Sequence, residues 1–347
     1  MRKSGGIFFA IAALVVTLAI WGNPVSRLIS AFSPPAIEVP SATSLTTTSL
    51  TPKIDLSVNE SALMGHVEAL GKPRFNTEQK AQARKYITTT LTGFGLSPVA
   101  QPYRNAASDG VNIVVELPGS HPSAGTIVLG AHYDTTQRSP GADDNGSAIA
   151  TLLEAARIFS VTTAENRPSR SLTLAFFDQE EHQLAENTGL LGSIAFTKQT
   201  ANLTNVKGAV ILDMIGYACR SAGCQKYPAR LPITNVPDTG DFLAVLGRNT
   251  DTDLLGAFML SAQTNWPLVL TLPIPIPTLR FVPDLLRSDH APFWDKNIPA
   301  VFVTDTANFR NPNYHTETDT PETLDRSFFK GSAQHVVNAI ATLLNAA

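Results

Sequence analysis

Cysteine is scarce in this chain, with two in 347 residues. That excludes a disulfide framework and a structural zinc site built on four sulfurs, so any metal chemistry falls to histidines and carboxylates. Charge is sparse too, at 16%, and almost balanced, with 26 Lys plus Arg against 29 Asp plus Glu and no long basic run. A nucleic-acid-binding surface therefore has no support. Apolar material is plentiful: 43% of the residues are hydrophobic, enough to bury a sizeable core and to rule out a disordered tail.

Arg2 and Lys3 precede an uncharged stretch, Ile7 to Trp21, that is apolar apart from Thr17. This is the pattern of an export signal, and counting on to Val25 just reaches the lower limit of about 17 residues for a spanning helix. No small-x-small cleavage site and no lipid-accepting Cys follows directly. Residues 1–25 are therefore expected to form a signal or membrane anchor, with everything downstream exported to the cell envelope. Residues 26–53, rich in Ser, Thr and Pro, read as a linker that cannot bury enough apolar surface to order itself. The globular domain is expected over 54–347.

Within that domain, helical patterns at 57–70 and 77–91 lead into alternating strands and helices. Strand-like runs fall at 111–117, 126–131, 171–177, 206–212, 242–246 and 300–304, and helical ones at 146–159, 190–198, 251–263 and 321–344. Several strands are continuous apolar runs, as when helices cover both faces of a sheet. This predicts an α/β fold, a three-layer αβα sandwich.

In such sheets ligands bind beyond the carboxyl ends of the strands. His132 and Asp134 follow the run TIVLGA, Asp178, Glu180 and Glu181 follow SLTLAFF, Asp213 follows AVIL, and His315 lies beyond AVFVTDTANF. Each alone is weak. Asp143 and Asp144 in GADDNGS suit a helix N-cap as well as a metal, and Glu180-Glu181 could be a solvated loop pair. Asp213 is stronger, because a carboxylate on a buried strand end needs a partner. The i, i+2 spacing lets Asp134 accept the second ring N–H of His132. Together the set can hold two zinc ions: Asp144 bridging, His132 and Asp213 on one, Glu181 and His315 on the other, with Glu180 left free as a general base.

The segments AHYD (131–134), PGADDNGSAIA (140–150), FFDQEE (176–181), LDMIGY (212–217), SDHAPFW (288–294) and YHTETDT (314–320) resemble, in order, the co-catalytic zinc exopeptidases of the aminopeptidase Y and bacterial leucyl aminopeptidase type, peptidase family M28. The resemblance implies a mostly parallel mixed central sheet, two zinc ions on the residues just named, and Asp134 as partner of the first histidine. It also implies peptide substrates cleaved at their amino end, with Glu180 as general base and Tyr314 as stabiliser of the carbonyl oxygen. Two departures stand out. HQLAENT (182–188) is inserted between Glu181 and Gly189, where it borders the base and reshapes the substrate pocket. Cys219 and Cys224 lie where a disulfide would pin a loop of an exported protein, with Gly223 allowing the turn.

Asp289 matches a proton-shuttling residue of related glutaminyl cyclases, so an acyl-transfer enzyme is the alternative, and a catalytically silent binding domain a further one. His66, His121 and His335 lack such company and are expected on the surface or in helices. The run at 270–283 reads as an extended wall or rim. Oligomeric state has no signature in the sequence.

Overall fold

In the computed structural model, residues 55–104, 109–162, 166–181, 188–229 and 231–346 are described. The expected anchor and linker, and residues 182–187 of the insertion, lie outside the described residues. All described residues belong to the compact unit from Ile37 to Ala347. Among them, no helix is long and apolar enough to cross a membrane.

Eight strands form one sheet: β1 (Val99–Arg104), β2 (Asp109–Leu117), β3 (Thr126–His132), β4 (Ser171–Phe177), β5 (Val206–Leu212), β6 (Phe242–Arg248), β7 (Leu268–Ile274) and β8 (Ala300–Thr304). Their order is β1-β2-β4-β3-β5-β8-β6-β7. The pairs β3–β4, β3–β5, β5–β8 and β6–β7 are parallel, while β1–β2, β2–β4 and β6–β8 are antiparallel. The sheet is thus mixed and mostly parallel, as expected.

Helices cover both faces. Alternate residues of β3 show this: Ile127, Leu129 and Ala131 enter one core, and Val128 enters another. The first core is closed by α1 (Glu60–Leu70), α2 (Thr77–Gly93), α3 (Ala148–Ser160), α5 (Thr252–Ser261) and α7 (Arg326–Asn345). The second is closed by Phe196 of α4 (Leu191–Lys198) and by Phe293 and Trp294 of α6 (Ala291–Asp295). A third apolar cluster joins β6 and β7 to Val282 and Leu285.

Caps account for several boundaries. Asn59 caps α1 by accepting from Ala62 N, and Asn76 with Gln79 forms a reciprocal capping box on α2. The last helix begins at Arg326 rather than at 321, because Leu324 is extended and Asp325 caps the helix by accepting from Phe328 N. Two strands escaped the sequence reading, and both are edges. β1 has no buried residue and contains Pro102, and β7 contains Pro273, so neither carries the pattern of a central strand. The wall expected at 270–283 therefore begins as a strand.

Candidate metal centre

Strand register brings the polar ends together. His132, the last residue of β3, lies beside Phe177 of β4, and Leu212 of β5 lies beside Val303 of β8, so His132, the FDQEE turn and Asp213 share one edge. GADDNGS does not begin α3 but forms an irregular turn ahead of it, in which Asp144 is extended and non-helical. Gly141 opens this turn at φ +65°, where a Cβ would collide with the Asp144 carbonyl oxygen. Residues in the left-handed region recur at the candidate site: Gln179 before Glu180, Met214 after Asp213, and His315 itself. Such conformations cost about 1 kcal/mol or more each and persist where the surroundings impose them.

The His132 Nε2 atom is 3.4 Å from Asp144 Oδ1, 3.5 Å from Asp213 Oδ1 and 3.9 Å from Glu180 Oε2. His315 Nε2 is 3.1 Å from both Asp144 Oδ2 and Glu181 Oε2. The ligand atoms of His132, Asp144 and Asp213 lie within 4.8 Å of one another, as do those of Asp144, Glu181 and His315. Asp144 belongs to both groups. Buried His132 Nε2 makes no hydrogen bond among the described residues. An unsatisfied imidazole nitrogen facing three carboxylates suits a divalent cation, and the nitrogen and oxygen donors suit zinc.

Electrostatics agree. Burial opposes charge on His132, yet Glu180, Asp134, Asp144 and Asp213 outweigh it and hold the imidazole well above its ordinary range. Burial pushes the Glu180 carboxyl well up, helped by Asp213 and Glu181, and raises Glu181 to about 7 with help from Asp144. These acids repel one another without a cation between them.

Other residues hold these side chains in place. The Asp134 carboxylate accepts from the backbone N–H of Glu180 at 3.0 Å and of Glu181 at 3.2 Å, which fixes the glutamate turn. The expected contact with His132 is shared. Nδ1 lies 3.2 Å from the Asp134 backbone oxygen and 3.5 Å from its carboxylate. Asp319 accepts from the N–H groups of Asp143 and Asp144. Buried Arg74 donates to the carbonyl oxygens of Leu70, Tyr133, Pro140 and Gly141, and its charge faces the acids of the centre. Neither Asp319 nor Arg74 was assigned a role from sequence. Asp319 sits in YHTETDT, whereas nothing near Arg74 marks it.

A cavity of about 580 Å³ opens from the centre. Asp144, Glu180, Glu181, Asp213, Tyr314 and His315 line one part, and Leu231, Phe242, Leu246, Leu270, Leu272 and Phe302 line another. The Tyr314 ring stacks on His315 at 3.7 Å, and its phenol accepts from Arg287. Burial and the nearby carboxylates keep that phenol protonated. Cys219 and Cys224 are bonded to each other, with Gly223 at φ +72° between them. Backbone hydrogen bonds from Cys219 to Gly240 close the loop that carries Tyr227 and Leu231 over the cavity.

The model of peptidase family M28 matches residues 112–236 and 277–340. The chain belongs to peptidase family M28. Among curated relatives of this M28 member, the uncharacterized protein YfbL of Escherichia coli K12 is 32% identical over 78% of this chain and 81% of that one. Leucine aminopeptidase 1 of Trichophyton equinum is 29% identical over 67% of this chain, which spans 57% of the fungal protein. Of solved structures, the aminopeptidase from Aneurinibacillus sp. strain AM-1 superimposes with a TM-score of 0.60 at 15% identity, covering 82% of this chain and 93% of that one. The glutaminyl cyclase of Porphyromonas gingivalis gives 0.58 at 17% identity over 82% and 98%. At these identities the two structures speak for the fold. Asp289, the residue shared with cyclases in the sequence reading, is fully buried beside Ser193, and burial pushes its carboxyl up to about 7.

Proposed function

We propose that this M28 member is a zinc exopeptidase that removes N-terminal residues from peptides and carries two zinc ions. The observation that carries the reading is Asp144, common to two groups of three donors whose atoms lie within 4.8 Å of one another. His132 and Asp213 would complete one metal's ligands, and Glu181 and His315 the other's. Zinc bound there supplies Lewis acidity and lowers the pKa of the water it holds.

The chain's own residues do the rest. Glu180, which shares the cavity with these donors and belongs to neither group, takes a proton from the attacking water and passes it to the leaving amine. Tyr314 donates a hydrogen bond to the carbonyl oxygen as charge develops there. The acidic end of the cavity attracts a free α-ammonium, and the apolar wall beside it takes an apolar side chain. That pairing supports cleavage at the amino end, after a hydrophobic first residue. The N-terminal apolar run and the Cys219–Cys224 bond support a place outside the cytoplasm.

The test is elemental mass spectrometry of the full chain purified without chelators, followed by hydrolysis of aminoacyl substrates and their N-acetylated counterparts. About two zinc ions per chain, with cleavage abolished by acetylation, is the expected result. One zinc with cyclisation of N-terminal glutamine and no hydrolysis would favour the acyl-transfer alternative. No zinc uptake by folded protein would favour a silent binding domain.

A further inference from the structure

Tyr314 is not alone at the cavity wall. Arg287 Nη2 lies 3.0 Å from its phenol oxygen, and the guanidinium carbon sits 5.9 Å from the ring centroid. Arg287 is itself braced, since its Nη1 donates to Asn308 Oδ1 at 3.0 Å and to Asp284 Oδ1 at 3.3 Å. Arg287, Asn308 and Asp284 all line the same cavity as Glu180 and Asp213.

A guanidinium has five donors and no acceptor. A phenol oxygen that accepts from it therefore cannot aim its own proton back at it. The Tyr314 oxygen makes no other hydrogen bond among the described residues, and its ring is held against His315 by stacking. The remaining direction for the O–H is the cavity. A hydrogen bond accepted from a cation also polarises the phenol and strengthens the bond it donates in turn.

We propose that Arg287 is a positioning residue for Tyr314: its hydrogen bond turns the phenol proton into the cavity, towards the substrate carbonyl, and strengthens it as a donor. This rests on the reading of Tyr314 as the group that meets that oxygen. Among the described residues, the hydrogen bonds of Arg287 go to Tyr314, Asn308 and Asp284 and to none of the candidate zinc-binding side chains. Its effect appears where charge accumulates on oxygen and is absent from ground-state binding of the amine and side chain.

The test is a double-mutant cycle on the zinc-loaded full chain, with wild type, Arg287→Met, Tyr314→Phe and the double variant. It is read by kcat and KM, and by calorimetric binding of two inert ligands. One is an aminoalkylphosphonate, which presents a tetrahedral oxyanion, and the other is the matching alkylamine, which has none. Arg287→Met should lower kcat about tenfold with KM within about threefold, and Tyr314→Phe should lower it about 30-fold or more. The double variant should be no worse than Tyr314→Phe alone, because the arginine acts through the phenol. Phosphonate affinity should fall with kcat in Arg287→Met, while alkylamine affinity stays within about twofold.

Multiplication of the two single effects in the double variant would overturn the proposal and leave Tyr314 in its role. Parallel weakening of phosphonate and alkylamine would also overturn it, showing that Arg287 props the cavity as a whole. Unchanged kcat and phosphonate affinity in Tyr314→Phe would instead remove the reading of Tyr314 on which the proposal rests.

Discussion

Asp143 and Asp144 are adjacent and both buried, yet their surroundings are opposite in kind. The Asp143 carboxylate accepts from Gly216 N, the Ser147 hydroxyl and the Asn311 amide, and beside it Asp305 accepts from Tyr217 N and Ala307 N. Burial and the Asp143 charge push the Asp305 carboxyl well up, and its hydrogen bond with Asp143 favours the protonated form. Among the described residues, Asp144 has only imidazoles for side-chain partners, and although burial opposes its charge, His132 and His315 hold its carboxyl low. One acid is closed by hydrogen bonds and the other is left open to a cation.

Two histidines repeat the contrast. His132 and His290 are both fully buried. His132 faces carboxylates and is driven towards its charged form. His290 Nε2 donates to the Leu285 carbonyl at 2.8 Å, and its ring stacks on Phe302, so burial pulls its pKa down to about 4. The lesson is that burial alone does not identify a functional polar group. What distinguishes His132 is the set of carboxylates gathered around its open nitrogen, since His290 Nδ1 also lacks a hydrogen bond among the described residues.

The comparison can be broken experimentally, most severely at the open groups. Glu180→Gln should lower kcat by about 10³-fold with zinc content unchanged, because it removes the base and no ligand. Near-normal turnover would take Glu180 out of that role. Asp144→Asn should weaken zinc binding by about 100-fold or more, read by competition with a chelator, while the folded chain keeps its circular dichroism. Unchanged affinity would remove it from the shared position.

At the closed groups the cost should move to stability. Asp143→Ala strands the Asn311 amide, the Gly216 N–H and the Asp305 proton, and should cost about 3 kcal/mol in denaturant unfolding of the metal-free chain. A loss below about 1 kcal/mol would make Asp143 as open as its neighbour.

The smallest effect is a pH slope at His290. Its folded pKa, about 4, lies below the unfolded value of about 6.5, so stability is complete above pH 6.5 and is lost as pH falls towards 4. His290→Phe lacks that loss. Between pH 7.5 and 5 the difference in unfolding free energy should move in the variant's favour by about 2 kcal/mol. A difference that stays flat with pH would mean that His290 gains its proton in the fold at no cost.

How much of this was legible in the sequence follows from where each signal lies. Apolar runs that stop at an acid or histidine mark strand ends, which is why His132, Glu180, Glu181 and Asp213, each a weak signal alone, stand out as a set. β1 was missed because an exposed, proline-bearing edge strand lacks both the alternation and the apolar run that betray a strand, and β7 because Pro273, Pro275 and Pro277 make its apolar run read as a wall or rim. The role of Asp134 was half seen, because spacing indicates which side chains share a face and not that both carboxylate oxygens accept the N–H groups of a turn 46 residues away.

The sequence by itself determined the chemistry on offer: a nitrogen and oxygen ligand set, one spare glutamate, and an α/β order that delivers them to one sheet edge. Only the tertiary structure decided which of two neighbouring aspartates is left open and which is closed. It alone assembled the apolar wall from β6, β7 and β8, and set Arg287 against Tyr314, 27 residues on in the chain. The reason is physical. A side chain's type is fixed by its own atoms, but its hydrogen-bond partners come from residues distant in the chain, and those are specified only when the strands have paired.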